Sequence, residues 1–249
     1  TDVHVDAPTA SRVSNRIFAT VTVQHGWAIV GWDVPTAFLQ QDPAYMENRP
    51  EPLFIVPPSE LKTNPDDVWK MEKVPYGMAD APRAWYLTIS KYLVNMGFKK
   101  VKGEPCAFVK WNEKDPTSLV GQILIHVDDG IMSGGEHFLT EHKEILTKKF
   151  GVKEYKTGEF INCGLGIKQH GGEVELSQTH YVEMLDDAMI DKSRAPSEPL
   201  TNLDIHHLQS VGGATNWLAT QTRPDLSFET SALAGHANIN HEYSVVKLS

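Results

Sequence analysis

The stretch Gly121-Gln-Ile-Leu-Ile-His-Val-Asp-Asp-Gly-Ile-Met-Ser-Gly134 joins an apolar, β-branched run to two adjacent carboxylates, Asp128 and Asp129, and then to a second short apolar run. This pattern predicts a buried strand, a tight turn that carries both carboxylates, and a return strand. Carboxylates beside a buried strand need a cation or hydrogen bonds to offset their desolvation. A hard divalent metal such as Mg²⁺ suits converging Asp oxygens, and the plain alternative is a hairpin turn without a metal.

Two further Asp-Asp pairs occur in the chain, and neither ends an apolar strand. Asp66-Asp67 follows Asn-Pro in a polar segment, and Asp186-Asp187 falls in a predicted helix, so both are expected to be solvated. By contrast, Trp27-Ala-Ile-Val-Gly-Trp-Asp33 predicts a second buried strand that ends on a carboxylate. Three strand-terminal Asp residues would meet at one metal site if the two strands were neighbours.

Composition and charge define the broad class of the protein. The 249 residues are 41% hydrophobic and 22% charged, which is typical of a globular chain of one large or two small domains. No apolar run approaches the roughly 18 residues of a membrane span. The first residues lack both a signal-peptide pattern and an initiator Met, so we expect an excised or processed piece. Cys106 and Cys163 provide neither a disulfide framework nor zinc spacing, which fits a reducing intracellular setting.

Nucleic-acid binders usually carry an excess of basic residues, so the formal net charge of −9 argues mildly against nucleic-acid binding. Local basic clusters can nevertheless occur in an acidic chain. The densest such cluster comprises Lys148, Lys149, Lys153 and Lys156.

Hydrophobic periodicity predicts alternating helices and strands along the whole chain. On the first helix, Val13, Ile17 and Val21 repeat every four residues. Helices are predicted at 11–24, 82–96, 137–150, 179–189, 208–220 and 225–237. Strands are predicted at 27–33, 53–56, 68–73 and 106–111, on both sides of Asp128, and at 160–168 and 173–177. The segment 193–207, which holds two prolines, is predicted to be a linker.

Six segments, in this order and covering nearly the whole chain, resemble the reverse transcriptase of copia-type LTR retrotransposons. They are Trp32-Asp-Val-Pro-Thr-Ala-Phe-Leu39, Tyr76-Gly-Met-Ala-Asp-Ala-Pro-Arg-Ala-Trp-Tyr86, His126-Val-Asp-Asp129, Gly158-Glu-Phe-Ile-Asn-Cys-Gly-Leu-Gly-Ile167, Leu176-Ser-Gln-Thr-His-Tyr-Val182 and Trp217-Leu-Ala-Thr-Gln-Thr-Arg-Pro-Asp225. The resemblance implies an α+β right-hand polymerase. Such an enzyme has a palm of antiparallel sheet backed by helices, here with partial fingers and a helical thumb or connection.

The same resemblance divides the chain into polymerase parts. Residues 1–44 would form the first part of the palm, 45–80 a residual fingers segment, 81–163 the second part of the palm, 164–178 a primer-grip-like hairpin and 179–249 the thumb or connection.

The resemblance also implies the chemistry of RNA-directed DNA synthesis, in which a primer 3′-hydroxyl attacks the α-phosphate of a deoxynucleoside triphosphate. Asp33, Asp128 and Asp129 would be the catalytic carboxylates. Together with the Val34 carbonyl they would bind two Mg²⁺ ions about 3.5–4 Å apart, with Mn²⁺ as a substitute ion.

Further contacts follow from the resemblance. Phe38 would be a steric gate against a ribose 2′-hydroxyl, and the plain alternative is a core residue. Nucleotide contacts would come from Phe38, Tyr76 and Gly77. Template and primer contacts would come from Pro82, Arg83, His126, Val127, Leu165 and Gly166. The implied partners are an RNA or DNA template with its primer, deoxynucleoside triphosphates, and either the rest of a Pol polyprotein (fingers and RNase H) or a partner chain, without a membrane. The implied location is an intracellular particle in the cytoplasm, or the nucleus.

Three departures from the family pattern bear on activity. His126 replaces a Tyr that usually precedes Val-Asp-Asp, and Ala79 stands where a Lys is common. The fingers hairpin that grips the triphosphate with Lys and Arg would lie before Thr1. We therefore expect an intact metal site in a truncated polymerase. One alternative is a catalytically incomplete or degenerate retroelement fragment that acts only as a folded or interaction module. Another is an unrelated carboxylate metalloenzyme such as a nuclease.

Overall fold

The computed structural model describes residues 5–185 and 201–238, and these fall into two compact units. The first unit contains the described residues up to Cys163 together with 168–174, and the second contains 164–167 and the described residues from Glu175 onward. Helices and antiparallel strands are mixed along the chain, so the predicted α+β class is confirmed.

Seven helices and eleven strands are described. The helices are α1 Arg12–His25, α2 Ala44–Glu47, α3 Ala81–Asn95, α4 Glu136–Phe150, α5 Thr179–Glu183, α6 Asn202–Gln221 and α7 Ser227–Asn238. The strands are β1 Ala28–Asp33, β2 Phe54–Ile55, β3 Trp69–Lys70, β4 Lys99–Val101, β5 Glu104–Trp111, β6 Leu119–His126, β7 Asp129–Gly134, β8 Tyr155–Thr157, β9 Glu159–Asn162, β10 Leu165–His170 and β11 Glu173–Ser177. Short 3₁₀ turns cover Ala37–Gln40, Ser59–Leu61 and Pro224–Leu226.

A six-stranded sheet in the order β4-β5-β6-β7-β1-β8 forms the centre of the first unit. All of its strand pairs are antiparallel, and β6 and β7 are the predicted hairpin. Trp85, Ile89 and Leu93 of α3 are fully buried, which confirms the inward face predicted for that helix. A separate three-stranded sheet has β10 between β9 and β11, and β2 pairs with β3.

Two aromatic rings occupy the space that a side chain would take at a glycine of the central strands. The ring of Trp32 on β1 lies against Gly130 on β7, and the ring of Phe160 on β9 lies against Gly31 on β1. A Cβ at either glycine would overlap the ring. Both aromatic residues are buried, so these contacts fix strands β1, β7 and β9 against one another without room for a larger residue.

The inward face of α1 differs from the face that its apolar spacing predicts. Val13 and Ile17 are exposed by about three fifths, at 61% and 57%, whereas Ser14, Phe18 and Thr22 are buried. The helix packs a partly polar face on the sheet because the sheet offers polar partners. The Thr22 hydroxyl donates to the Ser133 hydroxyl over 2.8 Å, and the Gln122 amide donates to the Phe18 carbonyl and to Thr22. Hydrogen bonding to these strands thus determines which side of α1 is buried.

Several predicted boundaries are wrong, and the strand predicted at 68–73 is only β3. The single strand predicted at 160–168 is two strands, because Cys163 and Gly164 both adopt positive φ angles, at 51° and 75°, and form a turn between β9 and β10. The predicted linker 193–207 contains the start of α6, where Thr201 and Asp204 form a capping box. The helix predicted at 179–189 ends at Glu183 as α5. Residues 186–200, with the rest of the predicted linker and the Asp186-Asp187 pair, lie outside the described residues.

Segment 45–80 is mainly irregular and is held by one buried ion pair. Arg49 Nε donates to Asp80 Oδ2 over 3.1 Å, and the two side chains are 10% and 3% exposed. Tyr45 donates its hydroxyl to the same Asp80 oxygen over 3.4 Å. The segment is therefore anchored at both ends, at α2 and at the start of α3, although its β2–β3 ribbon is largely exposed. Across residues 5–185 and 201–238, no helix combines the length and the apolar character needed to cross a membrane.

Candidate active site

The pairing of β1 with β7 brings the strand-terminal carboxylates together. Asp33, the last residue of β1, is the antiparallel Cα partner of Asp129, the first residue of β7. Asp128 lies in the turn between β6 and β7, and its carbonyl accepts the Val34 backbone N–H over 3.1 Å. The sequence analysis expected the Asp residues to meet only if their strands were neighbours, and β1 and β7 are neighbours. Their pairing brings together the backbone positions of the four residues predicted to bind metal.

The backbone around these carboxylates is strained. Val127, immediately before Asp128, has a φ of 58°, which is unusual for a β-branched residue and costs on the order of 1–3 kcal/mol. Its carbonyl accepts a hydrogen bond from the buried Trp85 indole over 2.7 Å. In the described part of the chain, the other non-glycine residues with positive φ are Thr36, three residues after Asp33, and Cys163. Such strain concentrates where surrounding structure holds a functional geometry.

The carboxylates repel one another at neutral pH. Partial burial raises the pKa of Asp33, and the charges of Asp128 and Asp129 raise it further, while Lys156 lowers it. Burial also raises the pKa of Asp129, to which Asp128 adds, while Cys163, Lys156 and His126 lower it. These directions mean that burial and the neighbouring carboxylates disfavour the charged forms of Asp33 and Asp129, a condition that a bound cation relieves.

Cys163 contacts the site, and no pattern in the sequence indicates this contact. Its thiol donates to Asp129 Oδ2 across 3.6 Å, and this is the one hydrogen bond to a carboxylate oxygen of Asp33, Asp128 or Asp129 among the described residues. Burial raises the pKa of the Cys163 thiol to about 12, and Asp129 and Asp128 raise it as well. The thiol is therefore protonated and a donor at neutral pH.

The donor chemistry of the site fits a hard divalent cation. Three carboxylates next to a backbone carbonyl are the oxygen ligands that Mg²⁺ and Mn²⁺ prefer. Asp33 and Asp129 are cross-strand Cα partners, and Asp128 directly precedes Asp129 in the chain. Within the described ranges, however, no group of three or more His, Cys, Asp or Glu side chains is placed so that it could hold a metal ion. Asp33, Asp128 and Asp129 therefore supply suitable donor atoms, although their side chains are not arranged as a metal site in this structure.

Two of the three predicted nucleotide residues, Phe38 and Tyr76, form an aromatic pair. The rings of Phe38 and Tyr76 lie 4.5 Å apart between centroids, and Tyr76 is about half exposed. Phe38 also packs on the small core cluster that includes Val74 and Ala81, so its ring has both a core side and an open side. Gly77 follows with a φ of 91°, a conformation that glycine adopts without strain.

The predicted template and primer residues occupy separate elements. Pro82 and Arg83 lie in the first turn of α3, where Arg83 donates to the Asp6 carbonyl over 2.8 Å. His126 ends β6 opposite Asp129, and Val127 follows in the turn, so both adjoin the carboxylates. Leu165 and Gly166 lie on β10 in the second unit, where Gly166 has no room for a side chain beside Ser177.

Comparison with known proteins gives consistent matches. The family model described as reverse transcriptase (RNA-dependent DNA polymerase) matches residues 2–201. The chain is 30% identical over 245 residues to a retrovirus-related Pol polyprotein from transposon RE1 of Arabidopsis thaliana, and 28% identical over 250 residues to that from transposon RE2. These alignments cover 92% and 94% of this chain and 16% of each polyprotein.

A putative transposon Ty5-1 protein of Saccharomyces cerevisiae is 28% identical over 220 residues, which cover 81% of this chain and 68% of that protein. The chain thus spans about a sixth of the Arabidopsis polyproteins that it matches. The family model covers well over half of the chain and includes all three carboxylates. The chain belongs to the reverse transcriptase (RNA-dependent DNA polymerase) family.

Proposed function

We propose that this chain is the reverse transcriptase domain of a copia-type retrotransposon Pol polyprotein and that it catalyses RNA-directed DNA synthesis. The observation that carries the proposal is the β1–β7 pairing, which sets Asp33 opposite Asp129 and beside Asp128. The family match and the similarity to Pol polyproteins support the same activity. In the reaction, a primer 3′-oxygen bonds to the α-phosphorus of a deoxynucleoside triphosphate, and pyrophosphate leaves.

Asp33, Asp128, Asp129 and the Val34 carbonyl would hold Mg²⁺, for which Mn²⁺ could substitute. When bound, the ions supply Lewis acidity toward the attacking 3′-hydroxyl and the leaving pyrophosphate. The residues of the chain contribute a rigid frame, since strands β1 and β7 hold the carboxylates and Trp85 holds the turn through the Val127 carbonyl. A frame formed before substrate binds lowers the reorganisation needed during reaction.

Phe38 and Tyr76 are proposed to select the nucleotide. The open side of Phe38 would crowd a ribose 2′-hydroxyl, while the exposed Tyr76 ring and the adjacent Gly77 would pack on the nucleotide. Because the other side of Phe38 packs on buried residues, its ring cannot retreat readily from a bulkier sugar.

The finer architecture is also part of the proposal. The six-stranded sheet with α1, α3 and α4 would be the palm, segment 45–80 the residual fingers, the β10–β11 hairpin the primer grip, and the helices from α5 onward the thumb or connection. Pro82, Arg83, His126, Val127, Leu165 and Gly166 would contact template and primer. The remainder of a Pol polyprotein or a partner chain would supply the fingers hairpin and RNase H, in a cytoplasmic particle or the nucleus.

Primer extension tests the proposal. The purified chain is given a DNA primer on an RNA template, Mg²⁺ and deoxynucleoside triphosphates, and the rate of single-nucleotide addition is measured. We expect extension, and we expect Asp33→Asn and Asp128→Asn to lower its rate by about a thousandfold or more, because each removes a charge that the metal needs. Asp66→Asn, which changes an exposed Asp-Asp pair outside the site, is the matched control and should leave the rate unchanged.

Other outcomes assign the chain differently. A folded chain that extends no primer on RNA or DNA, with or without an added fingers segment, would favour the catalytically incomplete module. Mg²⁺-dependent strand cleavage without nucleotides, lost in Asp128→Asn, would favour a nuclease.

A further inference from the structure

We propose that Cys163 is a positioning residue for Asp129. The proposal rests on the proposed function, in that Asp129 is taken as a metal-binding carboxylate. Its basis is the contact between the Cys163 thiol and Asp129 Oδ2, 3.6 Å apart. Across the described residues, the side chains of Asp33 and Asp128 have no such donor, so this thiol is the single hydrogen-bond restraint on the carboxylate cluster.

The backbone holds the thiol at that position at a conformational cost. Cys163 has a φ of 51°, in a turn where Gly or Asn would be free of strain and a Cys is not. A residue kept in an unfavourable conformation, with its side chain on a candidate catalytic group, is typical of a functional constraint. The strand before the turn is anchored, because the Phe160 ring fills the space beside Gly31 on the same strand that carries Asp33.

The contact makes the two carboxylate oxygens of Asp129 different, because only one of them accepts a hydrogen bond. Oδ2 accepts the thiol proton, while Oδ1 has no hydrogen bond among the described residues. A donor on one oxygen limits rotation of the carboxylate and so presents the other oxygen in a fixed direction. Groups that hydrogen-bond to metal ligands orient them, and their loss usually lowers metal affinity tenfold or more. A thiol is a weak donor, so we expect a loss of about three- to tenfold here.

A matched pair of substitutions separates the hydrogen bond from the backbone strain. Gly and Asn both adopt a positive φ with less strain than Cys, so both substitutions relieve the backbone strain at position 163. Only Asn retains a side-chain donor that can reach Asp129. The primary readout is Mn²⁺ binding to the metal-free protein, measured by electron paramagnetic resonance without nucleic acid or nucleotide. We expect Cys163→Gly to weaken Mn²⁺ binding three- to tenfold, and Cys163→Asn to bind within about twofold of the unchanged chain. Thermal midpoints verify that both variants are folded.

A second readout links the contact to the reaction. In primer extension, Cys163→Gly should raise the Mg²⁺ concentration that gives half-maximal rate by the same factor, and Cys163→Asn should restore it. Equal Mn²⁺ binding by the Gly variant, the Asn variant and the unchanged chain would overturn the positioning role. An unchanged chain that extends no primer but shows the expected Mn²⁺ pattern would overturn the polymerase assignment and leave the positioning of Asp129 in place.

Discussion

The Trp85 indole N–H donates to the Val127 carbonyl over 2.7 Å, and this hydrogen bond ties the middle of the core to the strained turn before Asp128. Trp85→Phe removes the donor, leaves a partly buried carbonyl without its partner, and opens a small cavity next to Phe150. We expect a loss of about 1–3 kcal/mol in the free energy of unfolding from the hydrogen bond, with more from the cavity. We also expect the extension rate to fall by about tenfold or more, because the turn is no longer restrained. Urea denaturation and primer extension measure the two effects.

The control for Trp85→Phe is Tyr86→Phe on the same helix. That substitution removes two exposed hydrogen bonds: the Tyr86 hydroxyl donates one to the Pro105 carbonyl and accepts the other from Lys100 Nζ. If both variants unfolded at the same urea concentration and extended primers equally fast, Trp85 would have no special role in holding the turn.

Divalent cations should stabilise the folded chain even without substrate. The carboxylates of Asp33, Asp128 and Asp129 repel one another, and an ion that binds only the folded state stabilises it by mass action, about 2.7 kcal/mol at a hundredfold excess over the dissociation constant. We expect Mg²⁺ to raise the midpoint of thermal unfolding and a chelator to reverse the rise. Asp128→Asn should reduce the response, while Asp66→Asn should retain it. A Mg²⁺ shift of the same size in the Asp128→Asn protein would place the ion elsewhere.

The Arg49–Asp80 ion pair should contribute more to folding than an exposed pair of shorter length. Arg49→Met leaves the Asp80 carboxylate, 3% exposed, without its cation, and such losses typically cost about 3–5 kcal/mol. Lys91→Met breaks the pair of Lys91 with Asp42, which is closer at 2.7 Å but solvent-exposed, so water replaces the lysine. We expect a large loss of stability in urea denaturation for Arg49→Met and a small one for Lys91→Met. Equal losses would mean that burial does not determine the strength of the pair.

His142 should make stability depend on pH. The residue is almost fully buried, and burial lowers its pKa, to which the neighbouring Lys110 adds, while the Phe138 carbonyl opposes the shift. The folded pKa thus lies below the unfolded value of about 6.5. The unfolded state therefore binds more protons as pH falls, and the stabilisation by neutral His142, complete above pH 6.5, is lost below it.

Urea denaturation at pH 7, 6 and 5 measures this dependence. His142→Leu should flatten the slope of stability against pH by up to one proton, about 1.4 kcal/mol per pH unit. His137, five residues earlier on α4, is exposed, so His137→Asn is the control and should keep the slope of the unchanged chain. A slope that is the same in all three proteins would contradict the assignment to His142.

Local patterns predicted the elements whose partners are close in sequence. The apolar run up to His126, the Asp-Asp turn and the return strand needed no distant contact, and the inward positions of α3 followed from its own periodicity. The prediction of the buried face of α1 from its apolar spacing was wrong, because burial there depends on hydrogen bonds to Gln122 and Ser133, about a hundred residues away.

In the candidate site, too, the local features were predictable from the sequence and the long-range contacts were not. The carboxylates are visible in the sequence because each ends an apolar strand, whereas the contact of Cys163 with Asp129 is not. That contact depends on where β9 lies in three dimensions and on one unusual φ angle, and neither leaves a periodic signal. The chemistry of the site residues could therefore be predicted from the sequence, whereas the placement of strands that are distant in sequence could not.

The glycine–aromatic contacts have a consequence for the alignment of β1 with β7. A slip of these strands by two residues would keep every side chain on its own face, and pattern alone would not forbid it. Trp32 would then oppose Met132 or Asp128 instead of Gly130, and a Cβ opposite the indole in its present orientation would overlap the ring. Of these three alignments, only the observed one places a glycine opposite the ring, and it is the alignment that sets Asp33 opposite Asp129. Two uncharged residues therefore act as a steric key for the acidic cluster, so that a substitution at Gly130 could misalign the carboxylates without altering any of them.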